Sequence, residues 1–292
     1  MHRRWIVWIA GVVSLVMLAA GFCYASPQQV EVKLGNGLFS WRGEALDRTE
    51  RQALFARMKQ CELTDLYQQI PADTPKETVQ EFLQAAYVEG IAVYLLTGAP
   101  EWGMDANGED MQREVARAAG YNQGLAEAAR LRGVMMDVEP YQTRAWHGDA
   151  DGVMAAYVRV MSRAKTACER QSMVYIACIP YFYDNKGQSA RLEQLIQEGC
   201  HAVAVMNYHK GDEAVHLETE AALAKAAGKP LVTIYELQPP GSHGLTERNT
   251  YHREGLTAVE KNWQGLREQV DHPQFSYALH CDQALQEVLS RE

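Results

Sequence analysis

Gly133-Val134-Met135-Met136-Asp137-Val138-Glu139-Pro140-Tyr141 reads as a buried β-strand that ends in two acidic residues. Side chains alternate faces along a strand, so Asp137 and Glu139 point the same way, one layer apart. Two carboxylates at the end of an apolar strand are costly to bury unless a site uses them. The plainer reading is an Asp that caps the next loop and a Glu paired with an arginine. The pattern of the surrounding chain weighs between the two.

Short apolar runs begin near Leu38, Leu63, Ala92, Val134, Val174, Ala202, Leu231 and Phe275. Between them lie helical patterns, among them Pro75–Val88, Asp110–Leu131, Gly152–Arg170, Ala190–Glu198, Glu218–Ala227 and His252–Val270. Each sets apolar residues at three- and four-residue spacing against a charged face. Gly90, Gly133 and Gly228 stand where a helix would stop before a strand. Strict alternation implies a parallel sheet covered by helices. Eight such units in a 292-residue chain fit a single-domain (β/α)8 TIM barrel over residues 26–292. A doubly wound sheet competes, but no Gly-rich phosphate turn follows the first strand: Asn36-Gly37 and Gly43 do not make that fingerprint.

The first 25 residues read as an export segment. His2-Arg3-Arg4 is a positive start, residues 5–25 carry no charge, and Cys23-Tyr24-Ala25 offers a small-residue cleavage site before Ser26. The apolar run is also long enough to span a bilayer, so a retained membrane anchor is the alternative. Either way the barrel is expected outside the cytoplasm, secreted or periplasmic. Losing Arg3 and Arg4 takes the formal charge from −9 to −11. An acidic body is a poor nucleic-acid binder and suits a neutral or cationic substrate. Five cysteines remain after cleavage: Cys61, Cys168, Cys178, Cys200 and Cys281. They show no metal-ligand spacing, and Cys178 and Cys281 fall in strands, as apolar fillers do. One disulfide is compatible with an oxidising compartment, with no pair favoured.

Active sites of such barrels sit at the C-terminal ends of the strands. There the chain places Trp41, Trp102, Asp137, Glu139, Tyr141, Trp146, Tyr181, Tyr183, Asn207, Tyr208, His209, Tyr235, Glu236 and His280. Paired carboxyls serve glycosidic-bond hydrolysis: one protonates the leaving oxygen, and another group stabilises or attacks the anomeric carbon. Aromatic rings offer flat faces to the C–H side of a sugar, and polar neighbours meet its hydroxyls. Trp41, Trp102, Tyr141, Tyr181, Tyr183, Asn207, His209, Tyr235 and His280 are therefore the candidate substrate-binding residues. The long segment Gln238–Gly255 after strand seven is a candidate wall or lid.

The segment Gly133–Glu139 resembles the fourth-strand signature of family-18 chitinases, which ends in D-x-E, and Met206-Asn207-Tyr208 resembles the M-x-Y of their sixth strand. The resemblance implies Glu139 as general acid, with Asp137 and Tyr208 holding a substrate acetamide whose oxygen attacks the anomeric carbon. The chain departs from that pattern at three places. Met135 stands where another Asp is usual, His209 follows the M-x-Y, and His280 lies where a strand-eight tryptophan closes the sugar site. Glu139-Pro140 and Glu236 are also similar to the acid and nucleophile that many retaining glycosidases carry at the ends of strands four and seven, with Val138 in place of the usual Asn. Retaining pairs stand about 5–5.5 Å apart. Both resemblances imply Glu139 as acid; they differ on its partner.

Two further classes stay open. A non-catalytic glycan-binding barrel would keep the aromatic groove without turnover. A metal-dependent hydrolase would draw on histidines 147, 209, 216, 243, 252, 272 and 280, but no H-x-H lies on the first strand and no H-E-x-x-H occurs. The expectation is a carbohydrate substrate, no cofactor, no metal, no nucleic acid, and membrane contact only through residues 5–25 if they are retained.

Overall fold

The computed structural model describes residues 32–291. The expected export segment over residues 1–25 lies outside them. Among the described residues no helix is long and apolar enough to cross a membrane.

Eight parallel strands close in sequence order into one barrel: β1 (Gly37–Ser40), β2 (Asp65–Gln69), β3 (Ala92–Thr97), β4 (Gly133–Asp137), β5 (Val174–Pro180), β6 (Ala202–Met206), β7 (Leu231–Glu236) and β8 (Phe275–His280). Closure by β1 against β8, with Gly37 opposite Ala278, excludes the open doubly wound sheet. Around it lie α1 (Arg48–Gln60), α2 (Lys76–Val88), α3 (Glu109–Asn122), α4 (Arg144–Gly148), α5 (Ala150–Glu169), α6 (Ser189–Glu198), α7 (Glu213–His216), α8 (Glu218–Ala226), α9 (Gly255–Gln269) and α10 (Asp282–Leu289).

The period of two along each strand sorts the core into two separate bodies. Phe39, Tyr67, Tyr94, Leu96, Met135, Ile176, Cys178, Ala204, Met206 and Ile234 fill the barrel interior. Their strand neighbours, such as Leu38, Leu66, Val134, Met136, Val203 and Tyr235, face the helices and pack with Leu54, Phe82, Met111 and Met161. Each such fully buried aliphatic side chain contributes about 1.5–3 kcal/mol relative to exposure. In this chain the layer between sheet and helices is the larger body, and it holds the strand ends in place.

Element ends follow local chemistry. Gly90 and Gly228 take the left-handed conformation just past α2 and α8, as expected of helix C-caps. Gly133 has a different role from the expected cap: it is the first residue of β4, and a Cβ there would come within 2.0 Å of the Val174 carbonyl oxygen. The helix expected over Asp110–Leu131 stops at Asn122, because Gly124 is left-handed and the Asn122 side chain bonds both the N–H and C=O of Leu131. The helix expected from His252 begins at Gly255, since His252 is held by Leu237 and Thr250. No disulfide joins the described cysteines.

Candidate active site

At the C-terminal mouth of the barrel a cavity of about 860 Å³ opens between strand ends. Asp137, Glu139, Tyr208, Glu236, His280 and Trp41 all line it. They share one parity. Asp137 and Glu139 continue the inward set after Met135, Tyr208 follows Met206, and Glu236 follows Ile234. Phe39, Tyr141 and Phe182 add aromatic surface, and none of the lining residues is Lys or Arg. Three carboxyl groups with no Lys or Arg among them suit a neutral or positively charged ligand.

The two carboxyl groups of β4 are set by backbone contacts. Gly98, just past β3, lies against the Asp137 backbone; a Cβ there would come within 1.8 Å of its carbonyl oxygen. Pro140 opens a short 3-10 turn, Pro140–Gln142, in which Gln142 N–H bonds the Glu139 carbonyl at 3.0 Å. The turn brings Tyr141 back over Glu139, and its hydroxyl donates to Glu139 Oε2. Tyr141 is held in turn edge-on by Phe182, with ring centroids 4.9 Å apart.

Glu139 is half-buried, and burial together with the neighbouring Asp137 pushes its carboxyl up to about 7. Asp137 is also raised, by burial first; His280, whenever its ring is protonated, and the Cys178 thiol, its register neighbour on β5, pull it back only in part. Asp137 Oδ1 is buried and has no hydrogen-bond partner. A buried acceptor without a partner, on a residue that lines a cavity, is hydrogen-bonding capacity that the fold itself does not use.

Glu236 is buried and fully engaged. Its Oε2 lies 2.9 Å from His280 Nδ1, and its Oε1 accepts from the Gln238 N–H at 2.8 Å. The register places Glu236 opposite His280 on the adjoining strand. On the other side of the ring, Trp41 Nε1–H donates to His280 Nε2 at 3.0 Å. An indole nitrogen only donates. Nε2 therefore accepts, and the neutral ring carries its proton on Nδ1, directed at Glu236. Burial opposes a charged His280, while the bond to Glu236 and the charges of Asp137 and Glu139 lift its proton affinity above the ordinary value. Trp41 works against that second proton, which would meet the indole N–H head-on.

The segment Gln238–Gly255 forms a wall: Gln238, His243 and Leu245 line the cavity. It is tied to the barrel by the Thr250 hydroxyl, which lies 2.7 Å from the Gln238 carbonyl and 3.1 Å from that of Glu236 and shares its one proton between them, and by Tyr251 N–H to the Glu236 carbonyl at 2.9 Å.

Six expected substrate-binding residues do not line this cavity, and parity accounts for most of them. Tyr235 faces the helices, where its hydroxyl donates to Asn262 Oδ1 at 2.7 Å. Asn207 is buried and donates to the Glu213 carbonyl at 2.9 Å. His209 stands 3.1 Å from Asp212. Tyr181 stacks on His216, centroids 4.0 Å apart, and Tyr183 is buried behind Tyr141 and Trp146. Trp102, in the turn Pro100–Met104, packs on the outer core. Trp41, Tyr141 and His280 are in the cavity, together with Phe182, Gln142, Gln238, His243 and Gln283, which the strand-end reading did not single out. The signal for Phe182 was present: it shares the parity of Ile176 and Cys178.

No family model matches the chain, and no curated protein does. Solved structures share its fold. A GH18 chitinase from Pseudoalteromonas aurantia superposes with a TM-score of 0.57 at 11% identity, over 88% of this chain and 100% of that one. A chitinase from Bacteroides thetaiotaomicron gives 0.55 at 11% identity, over 88% and 96%. A beta-mannanase from the blue mussel Mytilus edulis gives 0.52 at 10% identity, over 88% and 90%. The chain thus has the TIM-barrel fold of these glycoside hydrolases.

Proposed function

We propose that the protein hydrolyses glycosidic bonds of a polysaccharide, with Glu139 as general acid. The observation that carries this reading is the Glu139 carboxyl, pushed up to about 7 at the wall of an open cavity beside Asp137. A carboxyl that keeps its proton near neutral pH can hand it to the leaving oxygen as the C–O bond breaks, and the resulting carboxylate can then take a proton from the incoming water. Three solved structures that share the fold, two chitinases and a beta-mannanase, are named for polysaccharide-degrading activities, which supports the substrate class.

For the second group, the contacts favour an acetamido substrate over attack by Glu236. Asp137 lines the cavity and its buried Oδ1 has no hydrogen-bond partner, so a small turn of the carboxyl toward the cavity would let it accept an acetamide N–H, and Tyr208 lines the same cavity. With that N–H held, the acetamide oxygen attacks the anomeric carbon while Glu139 protonates the departing oxygen; water then opens the ring intermediate. Glu236 has both oxygens committed, to His280 and to the Gln238 N–H, and acts as the anchor that holds His280. The rings of Trp41, Tyr141 and Phe182 supply stacking surface for sugars. We place the activity outside the cytoplasm because residues 5–25 carry no charge and follow Arg3-Arg4.

The test is reducing-end release from chitin oligomers, their deacetylated forms, peptidoglycan and β-glucans, run beside Glu139→Gln. Activity on one glycan that falls at least about a hundredfold in the variant is expected. Equal activity in both proteins defeats the assignment. Glycan binding without turnover in either identifies a non-catalytic binding barrel. Dependence on the N-acetyl group, with Asp137→Asn impaired more than Glu236→Gln, separates the two partners.

A further inference from the structure

Outside the cavity, the loop that leaves β6 and the short helix α7 that follows it gather three ligand-type side chains. His209, Asp212 and His216 each bring one donor atom to within 4.8 Å of the other two. We propose that these three residues bind one divalent transition-metal ion of the zinc type, with water completing the coordination. The proposal does not depend on the hydrolytic reading.

Two imidazoles and one carboxylate form a donor set suited to zinc. His209 Nδ1 lies 3.1 Å from Asp212 Oδ2. Two donors bound at about 2.0–2.1 Å to one tetrahedral ion stand roughly 3.3 Å apart. The nitrogen is buried, yet it makes no aligned hydrogen bond, so its place beside the carboxylate is not explained by one.

His216 is prepared from behind. Asn207 Nδ2 donates to the Glu213 carbonyl at 2.9 Å, which fixes its amide and leaves Oδ1 facing His216 Nδ1 at 3.3 Å. A carbonyl oxygen only accepts, so Nδ1 carries the proton and the lone pair is on Nε2. An outer partner that sets the tautomer in this way accompanies most metal-bound histidines. Tyr181 stacks on the same ring at 4.0 Å with 21° between planes and holds its orientation. Asn207 and Tyr181, neither of which reaches the sugar cavity, thereby acquire a role. The exposed Arg248 lies 3.0 Å from Asp212 Oδ2 and competes for the carboxylate as a cation.

The test uses tag-free, chelator-treated protein, titrated with zinc by calorimetry and with cobalt by visible absorption. One ion per chain is expected, with d–d bands of low-symmetry cobalt and a melting temperature that rises with zinc. His209→Ala and His216→Ala should each weaken binding by more than the about 10–100-fold typical of losing an outer-shell partner. Circular dichroism checks that both remain folded. Arg248→Ala should tighten binding by removing the competing cation, and Glu139→Gln should bind as the parent does. Undiminished affinity in both histidine variants, or no ion bound at about millimolar zinc, overturns the proposal.

Discussion

The two ends of the barrel interior each hold a buried carboxyl group, and they treat it differently. At the floor, Asp65 accepts the Gly35 N–H at 3.0 Å and lies 3.4 Å from the Thr64 hydroxyl. Burial raises it, these bonds and the charge of Arg132 pull it back in part, and the balance leaves it pushed up to about 6. Above it the rings of Tyr67 and Tyr94, 5.5 Å apart, fill the barrel. At the mouth, Asp137 has an oxygen without a hydrogen-bond partner and Glu139 stands beside it, and both residues line the cavity. Burial of a carboxyl is thus common to structure and site. The missing partner and the free space distinguish the mouth.

The sharpest way to break that contrast is to neutralise each end. Glu139→Gln should lower kcat by at least about a hundredfold, with the fold retained. Asp65→Asn should leave kcat near that of the parent and cost about 1–3 kcal/mol of stability, because a buried bonding arrangement loses an acceptor. Steady-state rates on the identified glycan and urea unfolding read the two effects. A folded Asp65→Asn protein without activity would remove the distinction between floor and mouth.

The next effect is on pH. Activity should fall as pH rises through about 7, where Glu139 loses its proton. Asp137→Asn removes the neighbouring negative charge and should move that limb to lower pH. Stability follows with a defined sign. Below 4.5, the ordinary value, folded and unfolded chains both hold the proton; between there and about 7 only the folded chain does. Unfolding then releases a proton, so rising pH destabilises the parent relative to Glu139→Gln. The gap should grow across that window to about 1–3 kcal/mol, the lower part of the range reflecting solvent at the cavity mouth. Denaturant melts at pH 5 and pH 8 measure it; a gap that shrinks with pH contradicts the raised Glu139.

The fold was legible because strand starts coincide with apolar runs. Ala92, Val174, Ala202, Leu231 and Phe275 are the first residues of β3, β5, β6, β7 and β8. Asp137 and Glu139 were legible by alternation within one strand. Asn207 and Tyr235 turn away from the cavity, because the rule that active sites lie at strand ends selects a level in the barrel and not a direction. Extending parity from Met206 and Ile234 would have turned both outward. The Glu236–His280 contact needed the register of β7 on β8, which no local pattern encodes. Asn122 folding back on Leu131 nine residues on, and Gly133 pressed against β5, are likewise contacts that a helix-ending glycine or a continuous apolar period does not reveal.

Two smaller changes sharpen the account of the mouth. His280→Ala leaves Glu236 Oε2 without its partner and should cost about 1–3 kcal/mol, read by urea unfolding. Trp41→Phe keeps an aromatic ring, removes only the donor to Nε2, and should cost about 1 kcal/mol. Its more telling consequence is on the ring itself. In the parent, Glu236, Asp137 and Glu139 all draw a second proton to His280, and the indole N–H opposes it at the one nitrogen that could receive it. Without that N–H, the imidazole titration followed by NMR should move to higher pH. An unchanged titration would mean that Nε2 does not accept from Trp41, and the proton on Nδ1 would lose its basis. With that assignment lost, the hydrogen bond that commits Glu236 would no longer be secured, and attack by Glu236 would again compete with the acetamide route.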